Sequence, residues 1–391
     1  MTYLRLIATT RGAVTISRAY LSGNHMETAS HVSGSMLRGA LAALWEKDRL
    51  GNSDFLDLFC QGKITFHGLF PIPSGDEGEN FIATGRFPYR MPLSAFACKY
   101  HPPATEDPGH SYIDAIQSSD KECLECHAPL KQCKSPEYYY HGNDNPESRP
   151  RPLEPKKEVY LYHGSERATR RARTAALYSY SSICNEEQFI GWLSGAPADL
   201  GKFLELFNKS LHVRHDKDDE YNFGLRVGIG KKRRGFLETR MKQYPDPDRG
   251  PKEADFRPAP VVNGRVLVVV LQTPAIVYDN LFRAVTDLDA QAVFGDMLQS
   301  YPLEDKRPFK RFSARLVIDG WSNIHRLPRK PDQAIAAGSV FAYRLRNEVN
   351  KGQKKDLADR LKAVQAVSIG ERCNEGYGQI LINPRFIGIG E

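Results

Sequence analysis

No stretch of this chain is apolar for long enough to cross a membrane. The longest such runs, typified by Val266 to Leu271, fall far short of the roughly 20 residues a span requires. The opening residues Thr2-Tyr3-Leu4-Arg5-Leu6-Ile7-Ala8 lack the apolar core and cleavage pattern of a secretion signal. Cysteine is sparse and odd in number, seven in 391 residues, which argues against a disulfide-built secreted scaffold. The expected compartment is therefore the cytoplasm. Catalytic signatures are missing as well: there is no Walker loop, zincin helix or nucleophile elbow. Nor is there a short-period repeat. His25, His31, His67, His163 and His325 are scattered, and none stands at a telling spacing from a second reactive group. The strongest case for chemistry is a metal-independent ribonuclease using His25, His31 or His325 on a ribose hydroxyl. Asp279, Asp287 and Asp289 fall on an expected helix and its approach and need only be a wet face. No residue is assigned a catalytic role.

Glycine and basic residues are present, and they are clustered. The closing segment Gly370-Glu371-Arg372-Cys373-Asn374-Glu375-Gly376-Tyr377-Gly378 crowds three glycines around an arginine, just before the apolar run Ile380-Leu381-Ile382. Glycine tolerates positive φ and close backbone approach, so such a loop can lay N–H groups along a phosphate chain. A second loop repeats the pattern at Gly228-Ile229-Gly230-Lys231-Lys232-Arg233-Arg234-Gly235. The net charge of +7 is modest, but Arg226 with Lys231 to Arg234, Arg167 to Arg173, and Lys306 to Arg315 are each nearly free of acids. Basic clusters beside glycine loops fit a polyanion, of which nucleic acid is the commonest.

Residues 3–17 read as a strand from Leu4, Leu6 and Ala8 on one face, and the apolar spacing after Ser35 predicts a helix with Ser33 or Ser35 as N-cap. That helix carries Arg38 in its first turn, beside a Ser-Gly-Ser turn, and helix N-termini attract phosphate. Ile64 to Phe70, Val159 to Gly164 and Thr174 to Tyr180 read as strands, Glu187 to Leu193 as a helix, and Asn222 to Leu237 as two strands around the basic loop. After a charged, proline-rich linker at 246–260 come a strand at Val266 to Leu271, a helical region from Leu281 to Leu298, and strands at Phe312 to Ile318 and Ala337 to Arg344. Leu357 to Ala366 is helical, and the glycine loop and a last strand close the chain. The expected architecture is α+β: a domain at 1–245, the linker, and a related domain at 261–391, each a small sheet with helices on one face.

Composition shifts within the first domain. Residues 93–155, rich in Pro, His and charge, hold four cysteines and read as an insertion. Cys123-Leu124-Glu125-Cys126 has the two-residue gap of a zinc knuckle. Cys98 and Cys133 would complete a four-sulfur structural zinc site, with His101, His110 or His127 as substitutes for a cysteine. Four protein ligands would leave no open position for catalysis. Cys60 and Cys184 sit among apolar residues and are read as packing.

These features together resemble the RAMP superfamily of CRISPR-associated proteins. The resemblance rests on Ser33-Gly34-Ser35-Met36-Leu37-Arg38-Gly39 at a helix start, on Gly370 to Gly378 as a C-terminal glycine loop, and on the cysteine insertion. Within that superfamily the chain looks most similar to the Csx-ten group of type III-D effector complexes, which belongs with the Cas-five-like subunits. Shared stretches include Pro92-Leu93-Ser94, the run at 123–130, Phe189-Ile190-Gly191-Trp192, Ile318-Asp319-Gly320-Trp321 and Ala336 to Phe341. The middle loop departs from the pattern, with Leu237 where a final glycine is usual. The resemblance implies two ferredoxin-like, RRM-like domains and a subunit that binds the single-stranded 5′ handle of a CRISPR RNA without cleaving it. It also implies contacts with backbone RAMP subunits and with a large polymerase-like subunit. The residues expected to meet RNA are Ser33, Gly34, Ser35, Arg38, Lys231, Lys232, Arg233, Arg234, Gly370, Arg372, Gly376, Tyr377 and Gly378.

Overall fold

A computed structural model of the protein describes residues 2–16, 25–44, 53–103, 109–142, 149–165, 172–210, 214–215, 221–227, 235–244, 256–262, 264–296, 299–322 and 326–384. The chain divides into two compact units, one formed by Met1–Gly85 with Glu154–Phe256, the other by Arg86–Leu153 with Arg257–Glu391.

The first unit is built on an antiparallel sheet in the order Arg214–His215, Tyr221–Val227, Gly235–Tyr244, Thr2–Thr10, Gln188–Gly195, Ile64–Ile72. Strand Thr2–Thr10 leads through helix Gly34–Ala42 to the edge strand Ile64–Ile72, and Gln188–Gly195 leads through helix Pro197–Ser210, and then through the added strands Arg214–His215 and Tyr221–Val227, to Gly235–Tyr244 on the far side of Thr2–Thr10. This is the β-α-β-β-α-β connection of a ferredoxin-like fold. Alternation explains the layering: Leu4, Leu6 and Ala8 join Leu37 and Leu41 of one helix and Leu200 and Phe203 of the other in a single core. Each such leucine or phenylalanine, fully buried, contributes roughly 1.5–3 kcal/mol. On the opposite face Phe256 stacks on Trp192 at 4.7 Å between ring centroids and meets Tyr3 edge-on at 5.5 Å.

Phe189, Ile190, Trp192 and Leu193 are all buried, so the segment expected as a helix is a strand covered on both faces. The helix follows it instead, at Pro197–Ser210. Glycine is required at position 68. Its φ is +94°, and a Cβ there would lie 2.7 Å from the Val32 carbonyl oxygen. Val32 and Leu69 exchange backbone hydrogen bonds of 2.9 and 2.8 Å across this contact, which fixes the start of helix Gly34–Ala42 against the sheet edge.

The second unit repeats the plan with strand order Lys310–Phe312, Val340–Arg344, Val266–Leu271, Ile380–Ile382, antiparallel throughout. Its helices are Ala290–Phe294, capped by Asp289, and Lys351–Ala366, which opens on an Asn350–Gln353 capping box. The long helical region expected from Leu281 to Leu298 is confined to the first of these; Asp279 lies in a tight turn instead. The strand expected at Phe312 to Ile318 is broken. Lys310–Phe312 joins the main sheet, and Arg315–Ile318 pairs with Asp332–Ile335 in a separate hairpin sheet.

Leu267, Val269, Phe341 and Tyr343 face the helices, while Val270, Val340 and Ala342 face the other way. That other face is covered by the cysteine-rich segment. Ile116 packs on Val270 and Val340, Phe96 meets Phe312 at 6.3 Å, and the Leu93 N–H donates to the Gly338 carbonyl at 2.8 Å. The segment expected as an insertion of the N-terminal domain therefore forms a second layer of the C-terminal unit. Its own strands make two three-stranded sheets, Tyr89–Arg90 with Tyr138–His141 and Pro150–Leu153, and Ile113–Asp114 with Ala95–Cys98 and Leu130–Gln132. No helix among the described residues is long and apolar enough to cross a membrane.

Candidate nucleic-acid interface and metal centre

Helix Gly34–Ala42 presents the first candidate patch. Ser33 adopts extended φ/ψ at the N-cap and its Oγ accepts the Met36 N–H at 3.3 Å, satisfying one of the donors a helix start leaves over. Among the described residues the N–H groups of Gly34 and Ser35 take no backbone or side-chain acceptor. Arg38 lies one turn above Gly34, with Nη1 3.4 Å from the Phe59 carbonyl. Gly39 lies one turn above Ser35, and a Cβ added to it would meet nothing within 4 Å. The helix packing thus has no use for that missing side chain.

The C-terminal glycine loop is built differently. Gly370, Arg372, Gly376 and Gly378 all have positive φ, at 82°, 56°, 84° and 72°. The loop N–H groups of Glu371, Glu375, Gly376 and Gly378 donate to the carbonyls of Ile276, Arg372, Cys373 and Pro274, and that of Gln379 donates to Thr273 Oγ1. Arg372 donates from Nη1 to Asp332 at 2.9 Å and from Nη2 to Glu375 at 2.7 Å, and its guanidinium sits 4.9 Å from the Tyr377 ring centroid. The residues expected to grip phosphate here are tied into the unit's own structure, with Tyr377 half-buried against Ile276, Ile318 and Ala334.

Lys231, Lys232, Arg233 and Arg234, and the histidine at 325, lie outside the described residues. Phe236, at the end of the middle loop, is 41% exposed and lies over Gly224. His25 Nδ1 is 2.8 Å from Ser179 Oγ, and His31 stacks on Phe70 at 6.2 Å. Neither contact brings in a carboxylate or a second imidazole.

The metal centre is more compact than its sequence spacing suggests. Strand Ala95–Cys98 delivers Cys98, and a turn closed by the His127 N–H to Cys123 carbonyl bond (2.9 Å) delivers Cys123 and Cys126. The fourth group is His110, whose Nδ1 lies 3.2 Å from Cys123 Sγ; Cys98 and Cys126 sulfurs are 3.5 Å apart. The ligand atoms of Cys98, His110, Cys123 and Cys126 all lie within 4.8 Å of one another. Such separations suit four donors around one ion at ~2.0–2.3 Å each. Burial opposes ionisation of Cys98, but N–H groups of His101 and Tyr100 directed at its sulfur outweigh that and hold the thiol below its ordinary value. Cys123 is lowered in the same way by the N–H groups of Glu125 and Cys126.

Cys133 is not part of this group. Its N–H bonds Ala95, its side chain packs with Met91, Ala97, Tyr112 and Tyr139, and burial pushes its thiol up to about 12. An apolar neighbourhood that resists thiolate formation is a poor metal site. The sequence signal that could have chosen His110 is weak, since His101 and His110 both precede the knuckle with no ligand spacing to separate them; their rings are 4.6 Å apart. Cys60, expected to pack, is exposed, and Cys184 is half-buried.

The chain matches the family described as CRISPR-associated protein (Cas_Cmr3) over residues 143–384. No curated protein sequence matches it. Among solved structures, a chain of the type III-B Cmr-beta bound to cognate target RNA is 11% identical with a TM-score of 0.41, covering 92% of this chain and 94% of that one. A CRISPR-associated protein Cas6 is 9% identical with a TM-score of 0.31, covering 97% and 98%. Cmr4 (Cas7) from Pyrococcus furiosus is 14% identical with a TM-score of 0.25, covering 62% and 99%.

Proposed function

The chain belongs to the Cas_Cmr3 family of CRISPR-associated proteins, and from that membership we propose that it binds guide RNA in a type III effector complex and grips the 5′ repeat-derived handle. The observation that carries this reading is the start of helix Gly34–Ala42: a half-buried Ser35 whose N–H has no partner among the described residues, a cation in the next turn, and open space over Gly39, while Gly34 itself is buried against Gly68. A phosphate suits that donor and the helix dipole, and a sugar-phosphate backbone can approach where Gly39 leaves room. Lys231 to Arg234 extend the basic surface in sequence. Two RRM-like sheets offer a preformed scaffold for single-stranded RNA. Backbone RAMP subunits and a large polymerase-like subunit are the expected protein partners, and no bond-making chemistry is assigned. The three thiols and one imidazole favour zinc, held in a closed, structural site that braces the second layer of the C-terminal unit.

The test is fluorescence anisotropy with an end-labelled, repeat-derived RNA across a salt series. Binding should weaken steeply with salt, and Arg38→Ala should reduce the slope of log affinity against log salt by about 1. Equal salt slopes for the two proteins would remove Arg38 from the interface. Metal-independent cleavage of the RNA, lost in His25→Ala or His31→Ala, would favour the ribonuclease instead.

A further inference from the structure

Two walls of the second unit enclose a cleft of about 170 Å³. One wall is the limb that leaves the Asp279 turn and supplies Ala284, Val285 and Thr286. The turn holds this limb from its start: Asp279 Oδ1 accepts the N–H groups of Leu281 and Arg283, both at 2.9 Å, and Oδ2 accepts Arg283 Nε at 2.8 Å. The other wall is the hairpin sheet of Arg315–Ile318 with Asp332–Ile335, and both of its strands reach the cleft. The walls share one anchor. Val285 donates its N–H to the Val277 carbonyl at 2.8 Å, while Ala275, two residues before Val277, exchanges backbone hydrogen bonds of 2.9 and 2.8 Å with Ile335. Ile318 and Ala334 of the hairpin pack with Ile276 of the same segment. The cleft is therefore preformed.

Its lining is apolar with three polar groups unspent. Val285, Leu316, Val317 and Ala334 supply the apolar surface. Thr286, Arg315 and Gln333 also line it, and their side chains form no hydrogen bond or ion pair among the described residues. Val317 and Gln333 are register partners, and Arg315, two residues along from Val317, shares their face. An apolar slot with a few convergent polar groups is the usual form of a small-molecule site. This one is below the roughly 300–1,000 Å³ of a drug-sized pocket, so it suits a single ring system. A hydroxyl and a carboxamide each donate and accept, as the edge of a nucleobase requires.

The charges add a place for phosphate. Asp287, next to Thr286, is paired with Arg311, and Asp332, next to Gln333, is paired with Arg372. Arg283 is likewise held by Asp279. Arg315 has no such partner, and Lys306 and Arg307 of the same basic run form no ion pair among the described residues either. Asp319, also unpaired among the described residues, lies roughly 13 Å from Arg315 along an extended chain, past a Debye length at physiological salt.

We propose that this cleft receives the base of one unstacked nucleotide of single-stranded RNA, with Thr286 and Gln333 on the base edge and Arg315 on its phosphate. The unpaired cations favour a nucleotide over an apolar protein side chain. The site extends the guide-binding reading and rests on it.

The test measures binding of the full chain to an end-labelled, repeat-derived single-stranded RNA, and to copies of it in which each base in turn has been removed. In the native chain, removal at one position should weaken binding by about tenfold. Val317→Trp fills the cleft from a position that is 56% exposed. It should weaken binding of the intact RNA to a similar degree and abolish the penalty at that position alone. Gln333→Leu should reduce the same penalty, which keeps the test open if the tryptophan variant fails to fold. Arg315→Ala should lower the slope of log affinity against log salt by about 1. Penalties that are identical in the native chain and both cleft variants overturn the proposal, as does an unchanged slope in Arg315→Ala. Unchanged RNA affinity in Val317→Trp, with loss of a subunit from the complex co-expressed with the neighbouring genes, overturns it in favour of a protein occupant. RNA binding with no position-specific penalty sinks this proposal alone. A native chain that binds no RNA at any salt concentration sinks it together with the guide-binding reading.

Discussion

Gly378 lies directly against Ile369: the Ile369 N–H donates to the Gly378 carbonyl at 2.9 Å, and a Cβ on Gly378 would stand 1.9 Å from the Ile369 carbonyl oxygen. Gly370 makes the same demand, with a Cβ 2.1 Å from the Ile276 carbonyl oxygen. Both have positive φ, so alanine would meet backbone strain and a backbone clash together. Gly378→Ala is expected to lower stability by about 3 kcal/mol or more in urea unfolding. Gly39→Ala is the contrast. With nothing in its way and a helical position, it should raise stability by up to about 1 kcal/mol while weakening RNA binding. Unchanged RNA affinity would mean that no backbone approaches Gly39.

Arg372 holds the glycine loop by its two-pronged contact with Asp332 and Glu375. Arg372→Ala is expected to cost about 1–3 kcal/mol, because the buried Glu375 and the half-buried Asp332 each lose a charged donor. Lysine should not restore it, since it lacks the planar fork. Any loss of RNA binding in Arg372→Ala therefore needs Asp332→Ala as its partner experiment. Equal losses in the two variants mean that Arg372 acts through the fold; a larger loss in Arg372→Ala means that it also meets phosphate.

Elemental analysis of the purified chain should find about one zinc per chain. Cys98→Ser, His110→Ala and Cys126→Ser should each lose it, whereas Cys133→Ser should keep it. Metal retained in His110→Ala and lost in Cys133→Ser would restore the four-sulfur site. Chelation should lower the unfolding midpoint, with proteolysis starting in the segment that covers Val270, Val340 and Ala342.

Backbone N–H donation from Arg283, assisted by its guanidinium, holds the Asp279 carboxyl below its ordinary value. Its stabilisation of the turn is therefore complete above the ordinary carboxylate range and is lost as pH falls through the lower folded value. Amide protection at 281–283, taken relative to the intrinsic exchange rate at each pH, should fall over that acid window in the native chain and should be low at every pH in Asp279→Ala. A flat profile in the native chain would show that the turn does not depend on the carboxylate.

The α+β pattern and the strands Thr2–Thr10, Val266–Leu271 and Ile380–Ile382 were legible in sequence because their apolar residues alternate or run unbroken between clear turns. So was the helix start at Ser33, which carries its own cap. Gln188–Gly195 misled, because burial on both faces erases the period of 2 that marks a strand. The home of the cysteine segment was not legible, because it is set by contacts such as Phe96 with Phe312 between residues far apart in the chain. The glycine loop was recognised for its conformation, yet sequence does not distinguish N–H groups aimed at a ligand from those bonded to Ile276 and Pro274. Proximity in sequence groups Cys133 with the knuckle, whereas its apolar neighbours Met91, Ala97, Tyr112 and Tyr139 set it apart from Cys98, His110, Cys123 and Cys126.

The most direct test is to purify the chain with the products of its neighbouring genes and sequence the RNA that comes with it. Short RNAs sharing one repeat-derived 5′ end, depleted in a variant combining Arg38→Ala with Lys231→Ala, are the expected result. An assembled complex holding no enriched RNA, or RNA whose ends vary at random, would contradict the account.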